Sequence, residues 1–259
     1  MILVIGDVHG LSEMIRIAAS VCIERGIREI VQLGDYNYGH SKKFDSEVLS
    51  ILALNNLHMT VVPGNHEDWD KLDALHGYNH GTAWPAAKPV EVNRRLSVAH
   101  KFGIWELMGV RCAFVGGAVS IDRHGKVHGD WWWNQESWSY LETEKGLVAA
   151  ENTGGVDIVF SHDSLPEHPF LHGPAEIIRD PACWNHALLM GHLCDRLKPK
   201  LWMHGHMHGF VRYGRGSTEV VSLGCHDDDS MATVDMFDLE VKSPIGIPEW
   251  HICDPRSGS

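Results

Sequence analysis

Five short apolar runs in this chain each end in a tight cluster of Asp, Asn or His, usually with Gly. Residues 1–5 run into Gly6-Asp7-Val8-His9-Gly10, residues 29–33 into Gly34-Asp35, and residues 59–62 into Pro63-Gly64-Asn65-His66-Glu67. Residues 156–160 run into Ser161-His162-Asp163, and Leu201-Trp202-Met203 precedes Gly205-His206-Met207-His208. Short apolar runs bounded by such residues read as buried strands. Two helical stretches separate the first three. One is expected over residues 13–25, with Ser12 as its cap and Ile15, Ala18, Ala19, Cys22 and Ile23 as its apolar stripe; the other is expected over residues 46–55. A strand–helix–strand–helix–strand rhythm predicts a parallel sheet with right-handed crossovers. All carboxyl ends of such strands lie on one edge, so their polar clusters can converge there.

The remainder is less regular. Residues 67–95 read as loop and short helix, and 96–99, 103–107 and 112–115 alternate like antiparallel strands. Trp131-Trp132-Trp133 opens an expected helical stretch over 135–150, and a further helix is expected near 181–197. Three antiparallel strands are expected at 210–213, 219–223 and 233–239. The chain has 259 residues, 44% hydrophobic and 22% charged, enough for a sizeable core. The expected organisation is one domain over 1–254, with insertions at about 67–95 and 163–199 and a disordered tail at 255–259.

A formal net charge of −12 argues against an extended nucleic-acid or anionic-membrane surface. The six cysteines (Cys22, Cys112, Cys183, Cys194, Cys225 and Cys253) form no CxxC pair and read as reduced, mostly buried thiols. Residues 1–5 lack the basic start of a signal peptide, and no apolar run approaches a membrane span. A soluble, cytoplasmic protein is the expectation.

The clusters carry metal-ligand chemistry. Asp7 and His9 are two apart, which on an extended chain puts them on one face, within reach of one ion. A carboxylate such as Asp35 can bridge two cations and let them sit about 3.5–4 Å apart. Asn65 offers a neutral amide oxygen. His66 follows it and points elsewhere, which leaves it free to act on substrate. His162 ends a buried strand. His206 and His208 repeat the two-apart spacing, with His204 taken as structural. Each residue alone has a plainer reading as a turn cap or a packed polar side chain. Seven oxygen and nitrogen donors at strand ends argue jointly for a two-metal hydrolytic site, and most naturally for phosphoester hydrolysis.

The pattern GDxH, GD, GNH, strand-end H and GHxH, in that order over residues 6–208, resembles the calcineurin-like metallophosphoesterases. The resemblance implies an α/β fold, a four-layer αββα sandwich of two mixed sheets flanked by helices. It implies that Asp7, His9, Asp35 and His208 hold one metal, that Asp35, Asn65, His162 and His206 hold the other, and that His66 is the catalytic histidine. Two divalent or trivalent ions are implied. Manganese is the first expectation, and iron, zinc, cobalt or nickel also suit mixed nitrogen and oxygen ligands. Such ions would bind phosphoryl oxygens and lower the pKa of a bridging water, with His66 protonating the leaving oxygen.

The departures narrow the expectation. The protein Ser/Thr phosphatase branch continues its second motif as GDxVDRG. Here Tyr38 replaces the Asp that orients the catalytic His, and His40 misaligns with the phosphate-binding Arg. Glu67, Asp68 or a water are the alternatives for orienting His66.

Phosphodiester hydrolysis of small substrates is therefore the first reading, with cyclic nucleotides among the candidates and monoester hydrolysis alongside. A nuclease of the same superfamily comes second, and a non-catalytic scaffold last. Arg123 reads either as a phosphate clamp or as a salt-bridge partner of Asp122 or Asp130. The tryptophans read as core or lid packing, with stacking on a base as the alternative. His186 and His226-Asp227-Asp228-Asp229 read as solvated loop residues.

Overall fold

A computed structural model describes residues 1–77, 88–121, 123–172, 180–225 and 228–242. The first sheet is built from β1 (Ile2–Ile5), β2 (Glu29–Gln32), β3 (His58–Val61), β4 (Val90–Asn93), β5 (Leu96–Val98), β12 (Met231–Val234) and β13 (Val241–Lys242). Its order is β13-β12-β1-β2-β3-β5-β4, with β1, β2, β3 and β5 parallel. The second sheet is built from β6 (Phe102–Leu107), β7 (Val110–Val115), β8 (Ile158–Ser161), β9 (Leu201–His204), β10 (Val211–Arg215) and β11 (Thr218–Ser222), ordered β10-β11-β9-β8-β7-β6. Among the described residues the α-helices are α1 (Ser12–Arg25), α2 (Lys42–Leu54), α3 (Trp69–His76), α4 (Tyr140–Asn152) and α5 (Pro181–Leu197).

Strand alternation sorts the apolar side chains into three layers. Leu3 and Ile5 of β1 face the helices and pack with Ile15 of α1, Val48 of α2 and Leu72 of α3. Ile2 and Val4 of the same strand turn the other way and meet Phe160 of β8 and Met203 of β9 between the sheets. Val159 and Trp202 leave the far side of the second sheet and pack with Leu147 of α4 and Met190 of α5. Strands buried on both faces read as unbroken apolar runs, which is why these were legible. The layers are helix, sheet, sheet, helix, the expected αββα sandwich.

Several local expectations need correction. Ser12 does not cap α1: it is the first helical residue, and its Oγ donates to Glu47 Oε2 of α2 at 2.7 Å. Helix α2 starts four residues before the expected position, because Ser41 accepts from the Phe44 N–H and sets its first turn. The tryptophan run does not open a helix. A single 3-10 turn over Asn134–Glu136 follows it, and a Ser139–Glu142 capping box restarts the chain as α4. Of the three strands expected at 96–99, 103–107 and 112–115, the last two form an antiparallel hairpin, β6 and β7, in the second sheet, whereas β5 lies in the first sheet, antiparallel to β4 but parallel to β3. Alternation gives the facing of a strand but not its sheet. Part of 67–95 is strand, since β4 pairs antiparallel with β5. Residues 78–87, 255–259 and Cys253 lie outside the described residues.

The five described cysteines are free thiols, four of them buried. Among the described residues no helix is long and apolar enough to cross a membrane.

Candidate metal centre

Each polar cluster sits just beyond the carboxyl end of a strand that pairs in parallel with a neighbour in its sheet. β1 delivers Asp7, β2 delivers Asp35 and β3 delivers Asn65 from the first sheet; β8 delivers His162 and β9 delivers His206 from the second. The crevice beyond the carboxyl ends of parallel strands is where open α/β sheets bind ligands. His9, Asp35, His206 and His208 all have left-handed backbones, with φ of 46°, 55°, 64° and 51°. Such conformations cost about 1–3 kcal/mol each and persist where the surroundings impose them. They also amend the extended-chain reading. Asp7 and His9 do meet, but through a sharp turn, and His206 and His208 face different groups.

Two donor clusters result. Asp7, His9, Asp35 and His208 offer ligand atoms within 4.8 Å of one another, and so do Asp35, His162 and His206. In the first, His9 Nε2 and His208 Nε2 face each other at 3.1 Å and lie 3.8 and 3.0 Å from Asp7 Oδ2. In the second, His162 Nε2 is 3.3 Å from Asp35 Oδ1 and 2.9 Å from Asn65 Oδ1. Asp35 belongs to both, since its Oδ2 lies 3.9 Å from His9 Nε2.

The donor chemistry fits two cations. His162 Nδ1 lies 2.7 Å from the Leu33 carbonyl oxygen. A carbonyl only accepts, so Nδ1 carries the hydrogen and Nε2 is left to the site. The Asn65 amide donates through Nδ2 to Ser120 Oγ at 3.1 Å, which turns its Oδ1 toward His162. Burial works against charge on His162, but Asp35 and Asp7 outweigh it and hold its pKa up to about 9. The pocket thus favours positive charge. Burial also works against charge on Asp35, yet His162, His66, His9 and His206 hold its carboxyl well below the ordinary range.

Close approach of the loops explains two motif glycines. A Cβ on Gly205 would lie 2.2 Å from Asp7 Oδ1, and one on Gly64 would lie 2.3 Å from both the backbone nitrogen and Oδ1 of Asp35. Gly205→Ala is expected to displace Asp7. The overpacking cost of about 1–3 kcal/mol corresponds to a Tm lower by roughly 2–10 °C. A thermal melt with and without added divalent metal checks this; an unchanged Tm and full metal binding would refute it.

His66 is half-buried, and its backbone N–H donates to Asp35 Oδ1 at 2.9 Å. Neither expected carboxylate orients its ring. Glu67 Oε1 and Oε2 accept from the N–H groups of Tyr36 and Gly64, and Asp68 caps α3 and pairs with Lys71. Burial, reinforced by Asp35, pushes the Glu67 carboxyl up to about 8. Tyr38 packs against the first apolar layer.

His186 is not a loop residue. It is buried on α5, with Nδ1 2.5 Å from Asp163 Oδ2, and Asp163 Oδ1 lies 4.0 Å from His206 Nε2. The sequence reading missed this buttress and Ser120; Asp163 stood inside a quoted motif and was the available signal. Arg123 does not pair with Asp130, and Asp122 lies outside the described residues; the Arg123 Nη2 donates to both carboxylate oxygens of Asp180, at 3.0 and 2.8 Å. His226 and Asp227 lie outside the described residues, and Asp229 accepts from the Phe210 N–H at 3.3 Å.

A family model for calcineurin-like phosphoesterase matches residues 1–210. The fold is similar to that of the protein TT1561 from Thermus thermophilus, with 14% identity, a TM-score of 0.60 and coverage of 93% of this chain and 96% of the other. It is also similar to a dimetal phosphatase from Danio rerio, with 14% identity, a TM-score of 0.58 and coverage of 94% and 96%. No curated protein matches the chain. The match over residues 1–210 places the chain in the calcineurin-like phosphoesterase family, hydrolases of phosphoric esters that depend on a two-metal centre.

Proposed function

We infer that the protein is a phosphodiesterase acting on small organic phosphodiesters. Asp7, His9, Asp35 and His208 would hold one ion, and Asp35, Asn65, His162 and His206 the other. Ions bound there supply Lewis-acid chemistry, drawing charge from phosphoryl oxygens and making water acidic enough to react near neutral pH. Hydrolysis adds a water oxygen to phosphorus and breaks one P–O ester bond. His66, on the cavity wall beside Asp35 and Asn65, donates its proton to the departing oxygen.

The observation that carries the diester preference is the wall of the cavity over the cluster. It measures about 310 Å³ and is lined by Asp35, Asn65, His66, His206 and His208 together with Ile121, Phe170 and Met207. Among the described residues no lysine or arginine lines the cavity, and Arg123 is engaged by Asp180. A monoester dianion calls for extra cationic partners around its three free oxygens. A diester carries one charge fewer and a second organic arm, which the apolar side chains can cover.

With chelator-stripped protein reloaded with manganese, bis-p-nitrophenyl phosphate is expected to turn over with a higher kcat/KM than p-nitrophenyl phosphate, by about tenfold or more. A monoester preference would overturn the diester reading, and no turnover with any divalent metal would overturn phosphoesterase activity altogether.

A further inference from the structure

A second cavity, of about 230 Å³, opens on the flank of His66 and is lined by Asn37, His40, His66, Asp130, Trp131 and Trp133. His66 is common to both cavities. A diester bound over the metal cluster with its leaving oxygen at His66 would therefore extend its departing arm into this second space.

The wall has the character of a ring site. Trp131 is half exposed, and the Lys126 ammonium stands 4.0 Å from its ring centroid, yet Lys126 does not line the cavity. Trp133 is buried, with its ring set edge-on to that of His40 at 5.8 Å. Burial lowers the His40 pKa, which favours a neutral imidazole there. An apolar cavity of about 150 Å³ holds a benzene ring, so this space suits one mono- or bicyclic ring rather than a long chain.

The polar groups on the wall are of both kinds. Asp130 brings an acceptor, and Asn37 brings an amide with a donor and an acceptor. Trp133 Nε1 is buried and has no hydrogen-bond partner among the described residues. A ring edge with an amino donor next to a ring-nitrogen acceptor would satisfy them together.

We propose that the Trp131–His40 cavity binds the base of a nucleoside leaving group, with preference for bases bearing an exocyclic amino group, so that the substrates are nucleoside phosphodiesters. The proposal rests on the diesterase reading above and specifies its leaving arm. Trp131 supplies the stacking face and Asp130 accepts from the amino group.

The test compares the dinucleoside monophosphates ApA and UpU with methyl p-nitrophenyl phosphate, using the manganese-loaded full-length protein. ApA is expected to be cleaved with a higher kcat/KM than UpU, and adenosine to bind in equilibrium dialysis. Trp131→Ala is expected to lower the ratio of kcat/KM for ApA to that for methyl p-nitrophenyl phosphate by about 5–100-fold, the effect of losing one base–aromatic stack, and Trp131→Phe to restore most of it. Asp130→Ala, at an exposed position, is expected to erase the preference for ApA over UpU. A ratio unchanged within about twofold in Trp131→Ala, or no adenosine binding by the wild type, would overturn the subsite while bis-p-nitrophenyl phosphate turnover continued to support diesterase activity. Loss of that turnover in the wild type would instead sink the diesterase reading itself.

Discussion

An Asp35→Asn protein reloaded with excess manganese should bind fewer than two ions per chain and hydrolyse bis-p-nitrophenyl phosphate about a thousandfold more slowly than the wild type. The reason is position. Asp35 is the one residue shared by both donor clusters, one carboxylate oxygen lying 3.3 Å from His162 Nε2 and the other 3.9 Å from His9 Nε2. Asp35 also anchors the neighbouring loops: its backbone carbonyl accepts from the His9 N–H at 2.7 Å, and its side-chain Oδ1 accepts from the His66 N–H at 2.9 Å. The amide keeps the shape and one carbonyl-type acceptor, so the loops should hold. It removes a negative charge and the second ligating oxygen. Loss of one metal's share of charge stabilisation is worth several kcal/mol, and about 4 kcal/mol is a thousandfold in rate. Elemental analysis beside circular dichroism decides the matter. Two bound ions per folded chain would show that Asp35 does not bridge.

The site was more legible in the sequence than the path of the chain around it. Asp7, Asp35, Asn65 and His162 follow apolar runs buried on both faces, and such runs leave little choice but a parallel strand. Once the strands are parallel, their ends share an edge and the donors converge. The pairing of His206 with His162 rather than with His208 was not legible from spacing. It depends on left-handed turns at His206 and His208 that no periodicity encodes. The same is true of long-range partners. His186 meets Asp163 across 23 residues, and Arg123 meets Asp180 across 57. Nothing local marks such pairs. The tryptophan run misled for another reason. The stretch after it reads as helical from residue 135, but Glu136 accepts from the N–H groups of Ser120 and Trp133, which pins the start of that stretch into a single turn.

Replacing His66 separates two roles that both cost activity. If His66 were a metal ligand, His66→Gln would lose an ion and slow every substrate alike. Its ring makes no hydrogen bond to the described residues, it lines both cavities, and it belongs to neither donor cluster. The expected result is therefore a chain that still binds two ions, with kcat on a dialkyl-type diester such as ApA lower by about 10²–10⁴-fold, the contribution typical of one general acid. The loss should shrink as the leaving group becomes more acidic. A p-nitrophenolate departs without help, whereas an alkoxide needs a proton as the P–O bond breaks. A plot of log kcat against leaving-group pKa should accordingly be steeper for His66→Gln than for the wild type. Parallel lines would remove His66 from proton transfer. A drop to one bound ion would move it into the metal shell, and the assignment of the seven donors would then have to be redrawn around it.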